Sequence, residues 1–136
     1  MTPAESYERV DRLTERIKNA YKTGENASEL RKEKDMAIRE IIPEVGRRCT
    51  EVLYSDRKVC TITRVISPRK IAVRQNQYRV TDWENGKCEI FPDLQGVELI
   101  FTKRKNGWWV EECQPTSIHS VLLMLHYAEA YIDPHF

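Results

Sequence analysis

Basic side chains recur through the middle of the chain in a pattern that suits the binding of a small anion. Residues 46–80 contain nine Lys and Arg against two acidic residues, a net charge of +7, whereas residues 81–99 have a net charge of −4. Because a guanidinium group contacts phosphate oxygens two at a time, these side chains predict a basic pocket for a phosphate-bearing ligand. The candidates for that pocket are Arg57, Arg64, Arg74, Arg79, Lys103 and Arg104. The alternative is that the two blocks pair across strands and largely cancel.

Aromatic side chains in the same part of the chain offer surfaces on which a base can stack. Tyr78, Trp83 and Phe91 are the local candidates, although aromatic residues more often pack in a core or across strands. Trp108 and Trp109 are adjacent, and neighbouring residues of a strand face opposite sides of the sheet. One of these two tryptophans must therefore face away from the core, unless a helix or a second subunit covers that side.

No recognisable catalytic or metal-binding pattern accompanies these residues. The histidines lie near the C-terminus, without a Cys, Ser or carboxylate at a spacing that marks a nucleophile and its base; they are His119, His126 and His135. The cysteines include no C-x-x-C pair and no histidine at a zinc-site spacing; they are Cys49, Cys60, Cys88 and Cys113. We therefore expect no catalytic residue, no metal and no cofactor, and we expect the cysteines to be mostly small buried apolar groups.

Length and composition limit the class of protein. At 136 residues and 40% apolar content, the chain is expected to form one domain with a substantial core. The net charge of +1 argues against double-stranded nucleic acid as a partner. No apolar run reaches the ~18 residues that span a bilayer, and the first residues lack the basic and apolar regions of a signal peptide. A reducing cytoplasm is therefore the expected location, with no membrane partner.

The first of two predicted helices starts at a capping box. Thr2, Pro3 and Glu5 form this signature, in which side chains and amide groups at the helix start bond reciprocally. Gly24 marks the predicted end of the helix. The apolar side chains at helical spacing between these limits are Tyr7, Val10, Leu13, Ile17 and Tyr21.

The second helix is predicted from about residue 26 or 28 to residue 42, because Pro43 bars its continuation. Its apolar stripe is thin, and its middle, residues 31–35, is almost wholly charged. Mixed-sign charges on a helix usually form a solvated face. The alternative is that the thin stripes of this helical pair pack against another subunit, so that residues 1–43 form an oligomerisation part.

After the helices the period of the apolar pattern changes from 3.6 to 2, which is typical of strands. Residues 52–66 predict the first hairpin, with a polar turn that places Arg57 at its tip. Asn85-Gly86 and Asn106-Gly107 predict two further tight turns. The pattern indicates seven or eight short strands in an antiparallel meander over residues 46–136, curled into a barrel or sandwich. The expected fold class is α+β.

Three short motifs in this predicted body resemble those of a family of small phage and prophage proteins. They are Ser55-Asp56-Arg57, Arg104-x-x-Gly107-x-Trp109 and Tyr131-x-Asp133-Pro134-x-Phe136, and the resemblance covers about residues 45–136. Within that family the chain is similar to the anti-Thoeris sponges, which sequester a cyclic ADP-ribose immune signal without degrading it; some also trap cyclic oligonucleotides. The chain departs from the family pattern at Cys88-Glu89, where a Gln is expected, and at Leu125-His126, where a Gly is expected.

The resemblance implies a function and a set of roles. A sponge of this kind binds a small cyclic nucleotide in the host cytoplasm and assembles dimers into a hexamer through an N-terminal helical part. Arg57 corresponds to the arginine of the S-D-R motif and is expected to contact phosphate, with Arg104 as the second candidate. The candidates for stacking on adenine are Tyr78, Trp83 and Phe91. The competing class is a small β-barrel interaction module that binds a host protein or single-stranded nucleic acid through the basic block.

Overall fold

The computed structural model describes residues 1–117 and 119–132 of the chain. The chain forms two compact units that divide between Ile42 and Pro43. The first unit contains two helices and the second an antiparallel sheet, which confirms the predicted α+β class. Within the described residues, no helix is long and apolar enough to span a lipid bilayer.

The first helix, α1, spans Pro3–Thr23 and begins where the capping box predicts. The Thr2 hydroxyl accepts a hydrogen bond from the Glu5 amide at 3.2 Å, and the Glu5 carboxylate accepts one from the Thr2 amide at 3.3 Å. Gly24 ends α1 in the left-handed region with a φ of 75°, which a residue without a Cβ adopts at little cost. The buried side chains of α1 are Ser6, Tyr7, Val10, Leu13, Ile17 and Ala20.

The second helix, α2, spans Ser28–Arg39. Asn26 supports its start, because its side-chain oxygen accepts a hydrogen bond from the Ser28 amide at 2.9 Å. The helix ends before the predicted residue 42, since the Ile42 amide donates to the Ser6 hydroxyl at 3.0 Å rather than to a helical carbonyl oxygen. Of the twelve described residues of α2, Ala37 alone is buried, so the apolar stripe of α2 is as thin as predicted.

The described part of the second unit contains six strands: β1 Arg48–Val52, β2 Arg57–Ser67, β3 Lys70–Asp82, β4 Lys87–Lys103, β5 Trp109–Glu111 and β6 Leu122–Met124. Each strand pairs antiparallel with the next one along the chain. β6 also pairs antiparallel with β1. The predicted meander is therefore present, and its strands form a ring.

The described strands are fewer and longer than the seven or eight short ones predicted. The predicted strands at residues 87–91 and 97–102 are two parts of β4, which continues through Gly96. Gly96 has a φ of +75°, and the register between β3 and β4 shifts there without ending the strand. The segment at residues 127–131 forms a single bridge, between Tyr131 and Arg57, instead of a strand.

Apolar side chains from all six strands are buried in the sheet: Cys49, Val59, Cys60, Ile62, Ile71, Ala72, Val73, Phe101, Trp109, Val110 and Leu123. Trp109 is thus the inward member of the tryptophan pair, while Trp108 is half-buried. One buried polar side chain, Asn76, accepts a hydrogen bond from the Thr61 hydroxyl at 2.8 Å and donates one to the Phe91 carbonyl oxygen at 2.9 Å. Because both ends of this amide are bonded, Asn76 fixes β2, β3 and β4 relative to one another.

Candidate functional site

The first hairpin places Arg57 at the entry to β2. The Leu53 amide donates a hydrogen bond to the Asp56 carbonyl oxygen at 2.9 Å and closes the turn. Arg57 pairs with Val52 as the first residue of β2. The predicted hairpin is therefore present, and an arginine follows its turn directly.

The backbone on the other side of Arg57 is bonded to the C-terminal segment. The Arg57 amide donates to the Tyr131 carbonyl oxygen at 2.7 Å, and the Tyr131 amide donates to the Arg57 carbonyl oxygen at 2.8 Å. The Ile132 amide donates in turn to the Gly86 carbonyl oxygen at 3.2 Å. Three chain segments thus meet, and we define this Arg57 junction as residues 53–57, 82–88 and 131–132.

Gly86 allows the close approach of the C-terminal segment to the β3–β4 turn. It is buried and has a φ of +68°. A Cβ at this position would lie 2.4 Å from the Ile132 carbonyl oxygen and 2.7 Å from the Tyr131 ring, so a side chain does not fit. Asp82 holds the same turn, because its carboxylate accepts hydrogen bonds from the side-chain and backbone amides of Asn85, which lower the pKa of Asp82.

One face of the β3–β4 hairpin borders the junction. The register pairs Val80 with Cys88. Two residues along the strands, Tyr78 pairs with Ile90 on the same face. Burial and the Asp56 carboxylate raise the pKa of the Cys88 thiol. Tyr78 is half-buried and lies on the same face of the hairpin as Cys88.

Trp83 and Phe91 have different surroundings. Trp83 lies in the same turn as Gly86, and 66% of its surface is exposed. A large apolar side chain with this exposure is available to a ligand or a partner. Phe91 is half-buried, and its carbonyl oxygen accepts the hydrogen bond from Asn76. The structure therefore places Trp83 in the junction, whereas the backbone of Phe91 fixes the side-chain amide of Asn76.

Two of the predicted basic residues form ion pairs across strands. The Arg64 Nε lies 3.2 Å from the Glu98 carboxylate, and the Arg79 Nη2 lies 2.7 Å from the Glu89 carboxylate. Each pair joins the basic block to the acidic block of the sequence. Cross-strand pairing therefore cancels part of the charge of the basic block, as one of the two sequence-based alternatives predicted.

Arg57 differs from the other predicted arginines in having no side-chain partner among the described residues. Arg74 donates two hydrogen bonds to the Gly96 carbonyl oxygen, at 3.0 and 3.2 Å, and Lys103 also interacts within the fold. Arg57 is exposed, and its guanidinium group has no hydrogen bond or ion pair within residues 1–117 and 119–132. Its backbone, in contrast, is bonded on two sides.

Arg104, the second predicted phosphate contact, is bonded through most of its guanidinium group. Its Nε donates to the Thr102 hydroxyl at 2.9 Å, and its Nη2 donates to the carbonyl oxygens of Glu111 at 3.0 Å and Gln114 at 2.7 Å. Its Nη1 donates to the Thr116 hydroxyl at 3.2 Å. A guanidinium group has five N–H donors, so one donor of Arg104 has no partner among the described residues. Arg104 mainly holds the loop that follows β5.

The two predicted phosphate contacts lie at the ends of different strands of the ring. Arg57 begins β2, whereas Arg104 follows β4 beside the β2–β3 hairpin, where the Arg69 side chain donates to the Arg104 carbonyl oxygen at 3.1 Å. Around the other side of the ring, Arg57 pairs with Val52 of β1, Val52 with Leu122 of β6, Leu122 with Val110 of β5, and Val110 with Thr102 of β4. Four cross-strand steps of about 4.8 Å each therefore link Arg57 to Thr102, two residues before Arg104.

No protein-family model, curated protein or solved structure matches the chain. The geometry of the Arg57 junction makes it the candidate site. Residues 133–136, which complete the predicted tail motif and include His135, lie outside the described residues.

Glu51 is a buried carboxylate that the sequence analysis did not single out. It is 6% exposed in β1, where its cross-strand partner is Lys58. Burial raises the pKa of Glu51, Lys58 lowers it in part, and the Glu111 carboxylate raises it further. The sequence signal that could have identified Glu51 as a buried carboxylate is its position as a single acidic residue within the apolar run of a predicted strand.

Two of the four cysteines have the predicted role of small buried groups. Cys49 and Cys60 are cross-strand partners and are fully buried, whereas Cys88 is half-buried and Cys113 is exposed. Burial raises the pKa of Cys49 well above its usual value and that of Cys60 to about 12, so both remain thiols at neutral pH. Within residues 1–117 and 119–132, no group of three or more His, Cys, Asp or Glu side chains is placed to hold a metal ion.

Proposed function

We propose that the protein is a phage-type anti-defence protein that binds and sequesters a cyclic nucleotide immune signal without degrading it. The signal is a cyclic ADP-ribose isomer, with cyclic oligonucleotides as further ligands. One observation carries the proposal: Arg57 is exposed, has no side-chain partner among the described residues, and stands where three chain segments meet. Its guanidinium group is suited to grip the pyrophosphate of such a signal.

The fixed backbone of Arg57 supports a binding role. Its amide and carbonyl groups are bonded to Tyr131, and Val52 pairs with it from the other side. A side chain that projects from a fixed backbone loses less conformational freedom when it binds than one on a free loop. The junction therefore offers a charged group whose starting position is already set.

The aromatic residues around the junction supply the second requirement of a nucleotide site. Trp83 is exposed in the turn that contacts Tyr131, and Tyr78 lies on the same face of the β3–β4 hairpin as Cys88 of the junction. An adenine ring stacks on an aromatic face, and the flat surface of Trp83 is the more accessible of the two. We assign the stacking role to Trp83 first and to Tyr78 second.

Sequestration also requires that the ligand is enclosed. Arg57 and Trp83 are both exposed on one chain, and a site that retains a small ligand usually buries most of its surface. A second copy of the chain placed over the junction would provide this enclosure, in agreement with the predicted dimer or hexamer. A sedimentation mass of one chain at micromolar concentration would contradict this part of the proposal.

A retention experiment tests the proposal. The purified protein is incubated with a panel of cyclic nucleotides, free ligand is removed, and the protein is denatured by heat so that any retained ligand is released and analysed. We expect one cyclic nucleotide to be recovered intact. Recovery of a hydrolysed product would indicate an enzyme, and recovery of no ligand from folded protein would reject the sponge function.

The second candidate function, a β-barrel interaction module, is favoured by one observation. Trp83 and Val97 are large apolar residues on the long β3–β4 hairpin, and 66% and 76% of their surfaces are exposed. Such residues also suit contact with a host protein or with the bases of a single strand. Salt dependence separates the candidates, because binding along a nucleic-acid backbone weakens steeply with salt, whereas an enclosed nucleotide is much less affected.

A further inference from the structure

Three arginines share one face of α1. Arg9, Arg12 and Arg16 are spaced at i, i+3 and i+7, which places them within a narrow sector of the helix surface. Together with Leu13 of α1 and Glu33 of α2, they line a groove of about 300 Å³. This volume lies at the lower end of the range of about 300–1,000 Å³ that small-molecule sites occupy.

The arginines of this groove are unequally engaged. Arg9 is held by an ion pair with the Glu40 carboxylate. Arg12 and Arg16 are exposed and have no hydrogen bond or ion pair in the part of the chain that the structure describes. Like charges one turn apart on a helix destabilise it by about 0.2–0.5 kcal/mol per pair, and a bound anion removes that repulsion.

The acidic residues of α1 interrupt its positive charge. Glu8 lies four residues before Arg12 and Glu15 three residues after it, so both are neighbours of Arg12 on the helix surface, and the helix has no continuous basic surface. Glu5 is on the same face as the arginines, but its carboxylate is bonded to Thr2 at the helix start. A small anion matches this distribution better than the extended backbone of a nucleic acid.

Glu33 further restricts the class of ligand that fits the groove. The Glu40 carboxylate pairs with Arg9, so Arg12 and Arg16 against Glu33 leave a net charge of about +1 on the groove, which suits a small anion. The structure gives the Glu33 carboxylate no ion pair or hydrogen bond among the described residues, so it can accept a hydrogen bond from a ligand hydroxyl group.

We infer that this groove binds a small organic phosphate that carries hydroxyl groups, with its phosphate between Arg12 and Arg16 and a hydroxyl group near Glu33. Arg9 adds charge from a position that Glu40 fixes. Because the groove is formed entirely by the helical unit, this site is separate from the Arg57 junction and does not depend on the function proposed for it.

Calorimetric titration of the full-length protein with pyrophosphate, at fixed ionic strength, tests the phosphate part of the site. We expect Arg12→Gln combined with Arg16→Gln to weaken binding at least tenfold, because two charge-assisted contacts are removed. Arg12→Lys combined with Arg16→Lys should weaken pyrophosphate binding less, since the positive charge remains and only the paired N–H donors of the guanidinium group are lost. Glu33→Gln should strengthen pyrophosphate binding by removing a repulsive charge, and should weaken binding of ribose 5-phosphate relative to pyrophosphate.

The matched control is Lys18→Gln combined with Lys22→Gln, which removes the same charge from other faces of α1. Its pyrophosphate affinity should stay within threefold of the wild-type value. An equal loss in the lysine control would show general charge attraction and overturn the site. The absence of binding by the wild type at millimolar pyrophosphate would also overturn it. Circular dichroism shows whether each variant keeps its helices.

Discussion

Arg57 and Arg104 are the two predicted phosphate contacts, and their side chains have opposite surroundings. The Arg104 guanidinium group donates four hydrogen bonds, to Thr102, Glu111, Gln114 and Thr116. The Arg57 guanidinium group donates none within the described residues, although the Arg57 backbone is bonded on both sides. The first arrangement organises a loop, and the second leaves the Arg57 guanidinium group without a partner among the described residues.

The role of each arginine in this fold depends on the hydrogen-bond acceptors that lie near its guanidinium group. The carbonyl oxygens of Glu111 and Gln114 accept hydrogen bonds from Nη2 of Arg104. Because every residue has a carbonyl oxygen, such backbone acceptors cannot be predicted from residue types. Opposite charges also occupy arginines, as with Arg79 and Glu89. The following substitutions test the contrast by their effect on the free energy of unfolding, from the largest to the smallest.

Arg104→Ala should have the largest effect on stability. It leaves two carbonyl oxygens and two hydroxyl groups without their donor, and we expect a loss of about 2–4 kcal/mol in the free energy of unfolding measured with urea. The control is Lys105→Ala, an exposed neighbour, which should change stability by less than about 0.5 kcal/mol. Equal stabilities of the two variants would show that Arg104 is not a structural residue.

Gly86→Ala should have the second largest effect, because its Cβ would overlap the Ile132 carbonyl oxygen and the Tyr131 ring. We expect a loss of about 1–3 kcal/mol in the free energy of unfolding and weaker ligand binding, since Tyr131 holds the Arg57 backbone.

Gly96→Ala separates backbone strain from the clash at Gly86. Gly96 also has a positive φ, +75°, but a Cβ there meets nothing within 4 Å. This variant should cost about 1–2 kcal/mol from strain alone and leave ligand affinity unchanged. If Gly86→Ala behaved in the same way as Gly96→Ala, the junction would not depend on close packing.

Glu51→Gln should have a smaller effect, and its sign should depend on pH. Burial raises the pKa of Glu51 above its usual value of 4.5, so the folded chain binds this proton more tightly than the unfolded chain. The stability that Glu51 contributes is therefore complete below pH 4.5 and is lost as the pH rises through the folded-state pKa.

The Glu51→Gln variant should consequently be more stable than wild type at pH 7, with the difference shrinking as the pH falls toward 4.5. Urea unfolding at a series of pH values measures it. A variant that is less stable than wild type at pH 7 would mean that the attraction between Glu51 and Lys58 outweighs the cost of burying the carboxylate.

The elements that depend on local sequence were predictable. Thr2 and Glu5 predicted the start of α1, and Asn85-Gly86 predicted the β3–β4 turn, because the residues that interact in these features are a few positions apart. The continuation of β4 through Gly96 was not predictable, because a glycine in a strand also marks a strand end.

The candidate site was predictable only in part. The hairpin turn pointed to Arg57, but its bridge to Tyr131 joins residues 74 positions apart and has backbone atoms as partners. The contact between Gly86 and Tyr131 has the same origin. Such long-range backbone contacts depend on how the strands close into a ring, which the alternation of side chains along each strand does not determine.

Calorimetric titration of glycocyclic ADP-ribose into wild type, Arg57→Ala and Arg57→Lys tests the central claim most directly. We predict that Arg57→Ala loses a charge-assisted contact of ~1.5–3 kcal/mol, roughly ten- to a hundredfold in affinity, while its stability stays within about 0.5 kcal/mol of wild type. Arg57→Lys should restore part of the loss, because it keeps the charge without the fork. Equal affinities of all three proteins would contradict the phosphate contact, and the absence of binding by folded wild type would contradict the sponge function.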